Sequence, residues 1–113
     1  MANALYPKWK EQLLQFTANN NLSSGTVKAA LVASGYTYSS ADQFYSSVTA
    51  SAVGTPQTIG SKTFTNGVFD GADVTYTAVT GSQAVSIILY IDTGSAATSP
   101  LVAFIDTGVT NLP

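Results

Sequence analysis

The chain has 113 residues, enough for one domain with one hydrophobic core, and 45% of them are hydrophobic while only 9% are charged. It contains no histidine, cysteine or arginine, and its four cations are lysines at positions 8, 10, 28 and 62. These absences exclude imidazole and thiol catalysis, disulfides and nearly all zinc or transition-metal sites. With a net charge of −2 and no basic run, nucleic acid is not an expected partner.

A surface with so few charges has to be covered by serine, threonine, asparagine, glutamine and glycine. Low charge favours association with other protein surfaces. No segment has the length and hydropathy of a signal peptide or a membrane span, so we expect synthesis in the cytosol and no membrane partner.

The first segment, residues 1–20, is predicted to form an amphipathic helix that begins near Pro7. Leu5, Trp9, Leu13 and Phe16 follow one another at spacings of four, four and three residues. This spacing predicts a stripe that packs in the core. The alternative is that Tyr6 and Trp9 form an exposed platform on which a base or sugar stacks.

The second segment, residues 26–49, combines a strand with an irregular aromatic stretch. The run from Thr26 to Val32 is typical of a strand. Four aromatic residues follow in a serine-rich stretch, and residues 41–48 are predicted to form a short helix that packs Phe44 and Val48 inward. The four are Tyr36, Tyr38, Phe44 and Tyr45.

The third segment, residues 50–113, is rich in short β-prone runs separated by turn residues. The predicted strands are residues 55–59, 62–65, 68–70, 73–79, 84–91 and 101–105. Asn66-Gly67 predicts a type I′ hairpin between Phe64 and Phe69, because both central residues of that turn need positive φ. Residues 84–91 are almost all apolar, which predicts a central strand covered on both faces, with the helix on one side.

These patterns predict a mainly β fold of the α+β class, with residues 1–113 in a single domain. The amino-terminal helix is expected to pack on an antiparallel β-sandwich or curled sheet.

Two Asp-Thr-Gly motifs begin at Asp92 and Asp106. Aspartic proteases use two such loops, which meet so that the carboxylates share a proton. If residues 84–91 and 101–105 are the arms of one hairpin, however, Asp92 and Asp106 lie at opposite ends of it. The motifs are therefore interpreted as turns stabilised by aspartate and threonine.

Other candidate chemistry is weaker still. Asp70, Asp73, Asp92 and Asp106 offer oxygen ligands for calcium, but their spacing matches no known calcium loop. Lys28 and Lys62 lie at β-prone positions expected to be exposed, outside any Ser-x-x-Lys motif. No catalytic, metal-binding or cofactor-binding residue is predicted, and no enzymatic activity is expected.

Several stretches in one order resemble a family of small virion proteins of tailed bacteriophages. They are residues 1–8, 26–32, 36–39, 61–64, 90–94 and 104–108. The resemblance implies a structural part of the virion, which binds the major capsid protein or other virion proteins and forms a homo-oligomer. Family members continue past Leu112-Pro113 into a further turn and strand. The chain is thus expected to be naturally shorter, to lack a terminal strand, or to receive that strand from a neighbour beside residues 101–105.

Within a virion, the resemblance leaves several positions open. A decoration or cement protein on the capsid shell is favoured, because the chain is compact and its surface is nearly neutral. The alternatives are a neck or tail component, or a receptor- or glycan-binding module at the tail tip that stacks sugars on Tyr36, Tyr38 and Tyr45.

Overall fold

The computed structural model describes residues 3–76, 79 and 81–107. Its strands and its helix follow one another along the chain as β1 (Ala4–Leu5), α1 (Pro7–Leu14), β2 (Thr26–Ala33), β3 (Ala52–Thr58), β4 (Thr63–Thr65), β5 (Val68–Asp70), β6 (Ala84–Asp92) and β7 (Leu101–Ile105). Single 3₁₀ turns span Tyr45–Ser47, Thr49–Ser51 and Ala96–Thr98.

The main sheet is antiparallel, with strand order β1-β7-β6-β2-β3, and β4 and β5 form a separate hairpin. The prediction of a mainly β fold of the α+β class with an amino-terminal helix is confirmed. Strand β6 lies at the centre of the sheet, as its apolar run predicted. On one of its faces Ala84, Ser86, Ile88 and Tyr90 are buried, whereas the other face is only partly covered, since Val85 remains 39% exposed.

A two-residue bulge interrupts the pairing of β2 with β3. The partner of Ala29 is Gln57 and that of Leu31 is Val53, so residues 54–56 all lie opposite Ala30. The hydroxyl of Tyr76 donates to the carbonyl of Ala29 at this bulge. The prediction of a strand over residues 73–79 is wrong for the described part, because residues 73–76 form no ladder; residues 77 and 78 lie outside the described residues.

The stretch between β2 and β3 crosses one face of the sheet without forming the helix predicted over residues 41–48. Only short 3₁₀ turns form there, since the serine-rich sequence is a poor helix former. Val48 is fully buried, as predicted, and Phe44 is half-buried beside Pro100. The ring of Tyr45 stacks on that of Tyr90 at a centroid distance of 3.9 Å.

The other tyrosines of this stretch pack against β7 and the start of the helix. The ring of Tyr38 lies 5.5 Å from that of Phe104 and 5.1 Å from that of Tyr6. The hydroxyls of Tyr6 and Tyr36 share a hydrogen bond of 2.7 Å, and Tyr36 donates to Asp42 Oδ2 at 2.7 Å. These rings pack against the hydrophobic core, where Tyr45 is buried and Tyr36 and Tyr38 remain partly exposed. The glycan-binding alternative stays a prediction.

Helix α1 begins at Pro7 as predicted, but the apolar stripe is only partly buried. Trp9 and the neighbouring Tyr6 are buried, at 8% and 0% exposure, which rules out the platform predicted as an alternative. Leu13 is 40% exposed and Phe16 is 97% exposed, so the prediction that the whole stripe enters the core is wrong. Leu5, 49% exposed, belongs to β1 rather than to the helix.

The two-residue strand β1 occupies the edge of β7. Ala4 lies opposite Phe104, Leu5 lies opposite Ala103, and Asn3 Oδ1 accepts hydrogen bonds from the backbone N–H groups of Asp106 and Thr107. An added strand beside residues 101–105 would therefore have to displace β1 or pair with its outer edge.

Candidate interaction surface

Asp92 and Asp106, the first residues of the two Asp-Thr-Gly motifs, lie far apart, as the predicted hairpin requires. Strands β6 and β7 are antiparallel, with Ile87 opposite Ile105. Asp106 therefore lies beside Ser86, which is about 20 Å along the strand from Asp92. Two carboxylates at this separation cannot share a proton.

Asp92 has a structural role in the turn after β6. The ammonium of Lys28 lies 2.9 Å from Asp92 Oδ2, and the N–H of Gly94, at φ 97°, donates to Oδ1 at 2.9 Å. The hydrogen bond from Lys28 lowers the pKa of the Asp92 carboxyl, with help from Gly94. Asp92 is thus held ionised as a turn acceptor.

Lys62 also has structural partners. Its ammonium donates to the carbonyls of Leu22 and Gly25 at 2.7 and 2.5 Å. Both Lys28 and Lys62 are half-buried, so the prediction that they are exposed is wrong. Within the described ranges, no three acidic side chains, Asp70 and Asp73 included, come close enough to hold a metal ion together.

A groove of about 470 Å³ lies between the end of α1, the loop that follows it and the β4–β5 hairpin. Its apolar lining is Trp9, Leu13, Phe16, Leu22 and Phe64. Its polar lining consists of Thr17, Asn20, Asn21 and Ser23. None of these side chains is charged. We call this surface the α1 groove.

The wall contributed by Phe16 depends on an unusual helix end. The N–H of Phe16 donates a hydrogen bond to the carbonyl of Leu13, and the N–H of Thr17 donates one to the carbonyl of Gln12, both at 3.1 Å. This pair of hydrogen bonds is the pattern of a Schellman motif. Phe16 has a φ of 60° at the position that glycine normally fills. A non-glycine residue there costs about 1 kcal/mol. The chain thus holds a large aromatic side chain in water on an unfavourable backbone.

The loop after the helix is held by local hydrogen bonds, so the groove exists before anything binds. The side-chain amide of Asn20 donates to Ala18 O at 2.7 Å and to Thr17 Oγ1 at 2.8 Å, and the indole of Trp9 donates to Asn20 O at 3.2 Å. Asn21 Oδ1 accepts from the N–H of Ser23 at 2.7 Å. Asn20 Oδ1 is buried and accepts no hydrogen bond from the described residues.

The opposite wall comes from the β4–β5 hairpin. Asn66 and Gly67 have φ values of 53° and 76°, which confirms the predicted type I′ turn. The turn sets Phe64 opposite Phe69, with ring centroids 5.5 Å apart. Phe69 packs towards the core, whereas Phe64 lines the groove and remains 44% exposed.

Sequence reasoning missed this groove because it joins segments nearly fifty residues apart. One signal was present: Leu14 follows Leu13 directly, so the apolar positions near the helix end are too many for one buried stripe. Leu14 is 89% exposed.

The lining of the α1 groove is uncharged and largely apolar, and none of its side chains is suited to acid–base chemistry. No helix in the described part of the chain has the length and apolar character needed to cross a membrane.

Comparison with protein-family models, curated proteins and solved structures finds no match for this chain.

Proposed function

We propose that this chain is a non-catalytic structural protein of a tailed-bacteriophage virion and that it decorates the capsid shell. The observation that carries the proposal is the α1 groove, where Phe16 is exposed on a strained backbone beside an uncharged apolar recess. Strained residues held against their intrinsic preference cluster at functional sites. Such a recess is suited to another protein surface.

The virion setting is supported by the resemblance of the sequence to small phage structural proteins and by the low charge of the chain. A protein with 9% charged residues gains little specificity from ion pairs and must rely on shape, apolar contact and backbone pairing. Among neighbours in a repeated shell, each small contact is multiplied over many copies.

The absence of catalysis is supported by the use made of the ionisable side chains. Asp92, Lys28 and Lys62 all hold loops of the fold. The hydroxyl groups of Tyr6 and Tyr36 share a hydrogen bond inside the molecule. These groups are engaged in structure and are poorly placed to meet a substrate.

Mass spectrometry of gradient-purified particles tests the proposal. We expect the chain in the particles, at a copy number comparable to that of the major capsid protein. A few copies per particle would instead indicate a tail-tip protein and reject decoration. If infected cells contained the chain and purified particles did not, the virion proposal would be rejected.

A further inference from the structure

We infer that the occupant of the α1 groove is the same groove of a second copy of this chain, in a two-fold symmetric pair. A two-fold interface must be self-complementary, and a patch that offers both a protrusion and a recess meets this requirement. The α1 groove offers both: Phe16 protrudes at 97% exposure, next to a recess over Trp9 and Leu22. In the pair, Phe16 of each copy covers the recess of the other.

Charge favours a second copy over a charged partner. The side chains that line the groove are neutral, so two copies can face one another without repulsion. On the adjacent helix, Lys8 and Glu11 carry opposite charges and lie 3.4 Å apart. A strongly acidic or basic partner would find no counter-charge in the lining.

The area available fits a weak, reversible pair. The exposed apolar side chains of the lining are Leu13, Phe16 and Phe64, at 40%, 97% and 44%; Leu14, which is not in the lining, follows Leu13 at the end of α1 and is 89% exposed. At about 150–250 Å² for a whole aromatic side chain, Phe16 and Phe64 offer roughly 200–350 Å² in each copy. Together with the two leucines, the total for a pair approaches about 1,000 Å². This total lies near the lower limit for a specific interface.

The inference deepens the proposed function and rests on it in one respect, that the α1 groove binds protein. The inferred pair can be rejected without rejecting the proposed function, because self-association is measured on the purified chain without particles.

Sedimentation velocity of the purified protein, from about 1 µM to about 500 µM, tests the inference. We expect a monomer–dimer equilibrium with a dissociation constant on the order of 10–100 µM. Phe16→Gly should weaken the pair at least tenfold. It should not lower the thermal unfolding midpoint, because glycine suits the positive φ of this position.

Two further variants make the test specific. Phe64→Ser changes the opposite wall and should also weaken association. Val68→Ser is the matched control: Val68 is 62% exposed but lies across from Thr65, on the other side of the hairpin from Phe64, and this change should leave association unaltered.

Three results would overturn the inference: a monomer at every concentration, a Phe16→Gly pair as tight as the wild type, or equal weakening by Val68→Ser. A chain that is monomeric in solution but abundant in particles would reject the pair and leave the proposed function standing.

Discussion

Two groups of aromatic residues in this protein differ in their burial. On one face of the sheet, Tyr45 stacks on Tyr90, and Tyr38 packs between Tyr6 and Phe104. At the α1 groove, Phe16 and Phe64 remain 97% and 44% exposed. The fold buries the aromatic side chains of the first region and leaves those of the second exposed, which is where we propose that a partner binds.

The backbone and the polar groups show the same difference. In the tyrosine region, the hydroxyl of Tyr36 links Tyr6 to Asp42, so the polar ends of buried rings have partners. In the groove, Phe16 adopts a φ better suited to glycine, and Asn20 Oδ1 is buried without a hydrogen bond from the described residues. Stability explains the first arrangement, whereas the backbone conformation of Phe16 lowers stability, and we propose that it serves binding.

The largest effect is expected from removing a ring of the tyrosine region. Tyr45→Ala deletes a ring that is 7% exposed and stacked on Tyr90, and should lower the free energy of unfolding by about 3–5 kcal/mol. Tyr45→Phe is the control and should cost less than about 1.5 kcal/mol, because the ring is kept. Urea denaturation measures both. Equal losses for the two variants would show that the stack is not the source of the stability.

A smaller effect is expected at alkaline pH. Burial raises the pKa of Tyr6, with a further contribution from its hydrogen bond to Tyr36. A tyrosine whose folded pKa is raised stays protonated in the folded state, so its contribution is complete below pH 10 and is lost as the pH rises above it. By pH 11 the loss from Tyr6 should reach about 1.4 kcal/mol.

Urea midpoints between pH 8 and pH 11 measure this loss. Tyr6→Phe should start from a lower free energy of unfolding at pH 8, because Tyr36 loses a hydrogen-bond partner. Between pH 8 and pH 11 the free energy of unfolding of this variant should then fall less than that of the wild type, because the contribution of Tyr6 is missing. An unchanged slope would mean that Tyr6 titrates normally and that its burial is not maintained in solution.

The smallest effect is expected in the groove. Phe16→Gly should raise the free energy of unfolding of the monomer by about 0.5–1 kcal/mol, since the helix end is relieved and little buried contact is lost. Thermal unfolding at a concentration below that of pairing measures the change. A loss of more than about 2 kcal/mol would show that Phe16 packs inside the monomer, and would remove the contrast between the two regions.

Local rules predicted several elements well. The Asn66-Gly67 turn follows from the φ that its two residues tolerate, and Pro7 at the helix start follows from its fixed φ and missing N–H. The long apolar run of β6 required a central position in the sheet. These features depend on neighbours in sequence or on one strong pattern.

The errors arose where distant segments decide the outcome. Strand β1 exists only because β7 pairs with it, and two residues carry no pattern of their own. The sequence around Tyr76 is typical of a strand, but the Tyr76 hydroxyl donates a hydrogen bond to the carbonyl of Ala29 at the bulge. No local sequence pattern predicts this contact. Phe16 continued the helical spacing, but the helix ends at Leu14, two residues before it. The α1 groove then depends on the position of Phe64.

A cryo-electron microscopy map of purified particles would locate the chain and its groove together. We expect density for this chain on the capsid shell, in two-fold pairs whose α1 grooves face each other and cover Phe16. Particles without the chain, or copies on the shell whose Phe16 faces solvent, would contradict this expectation.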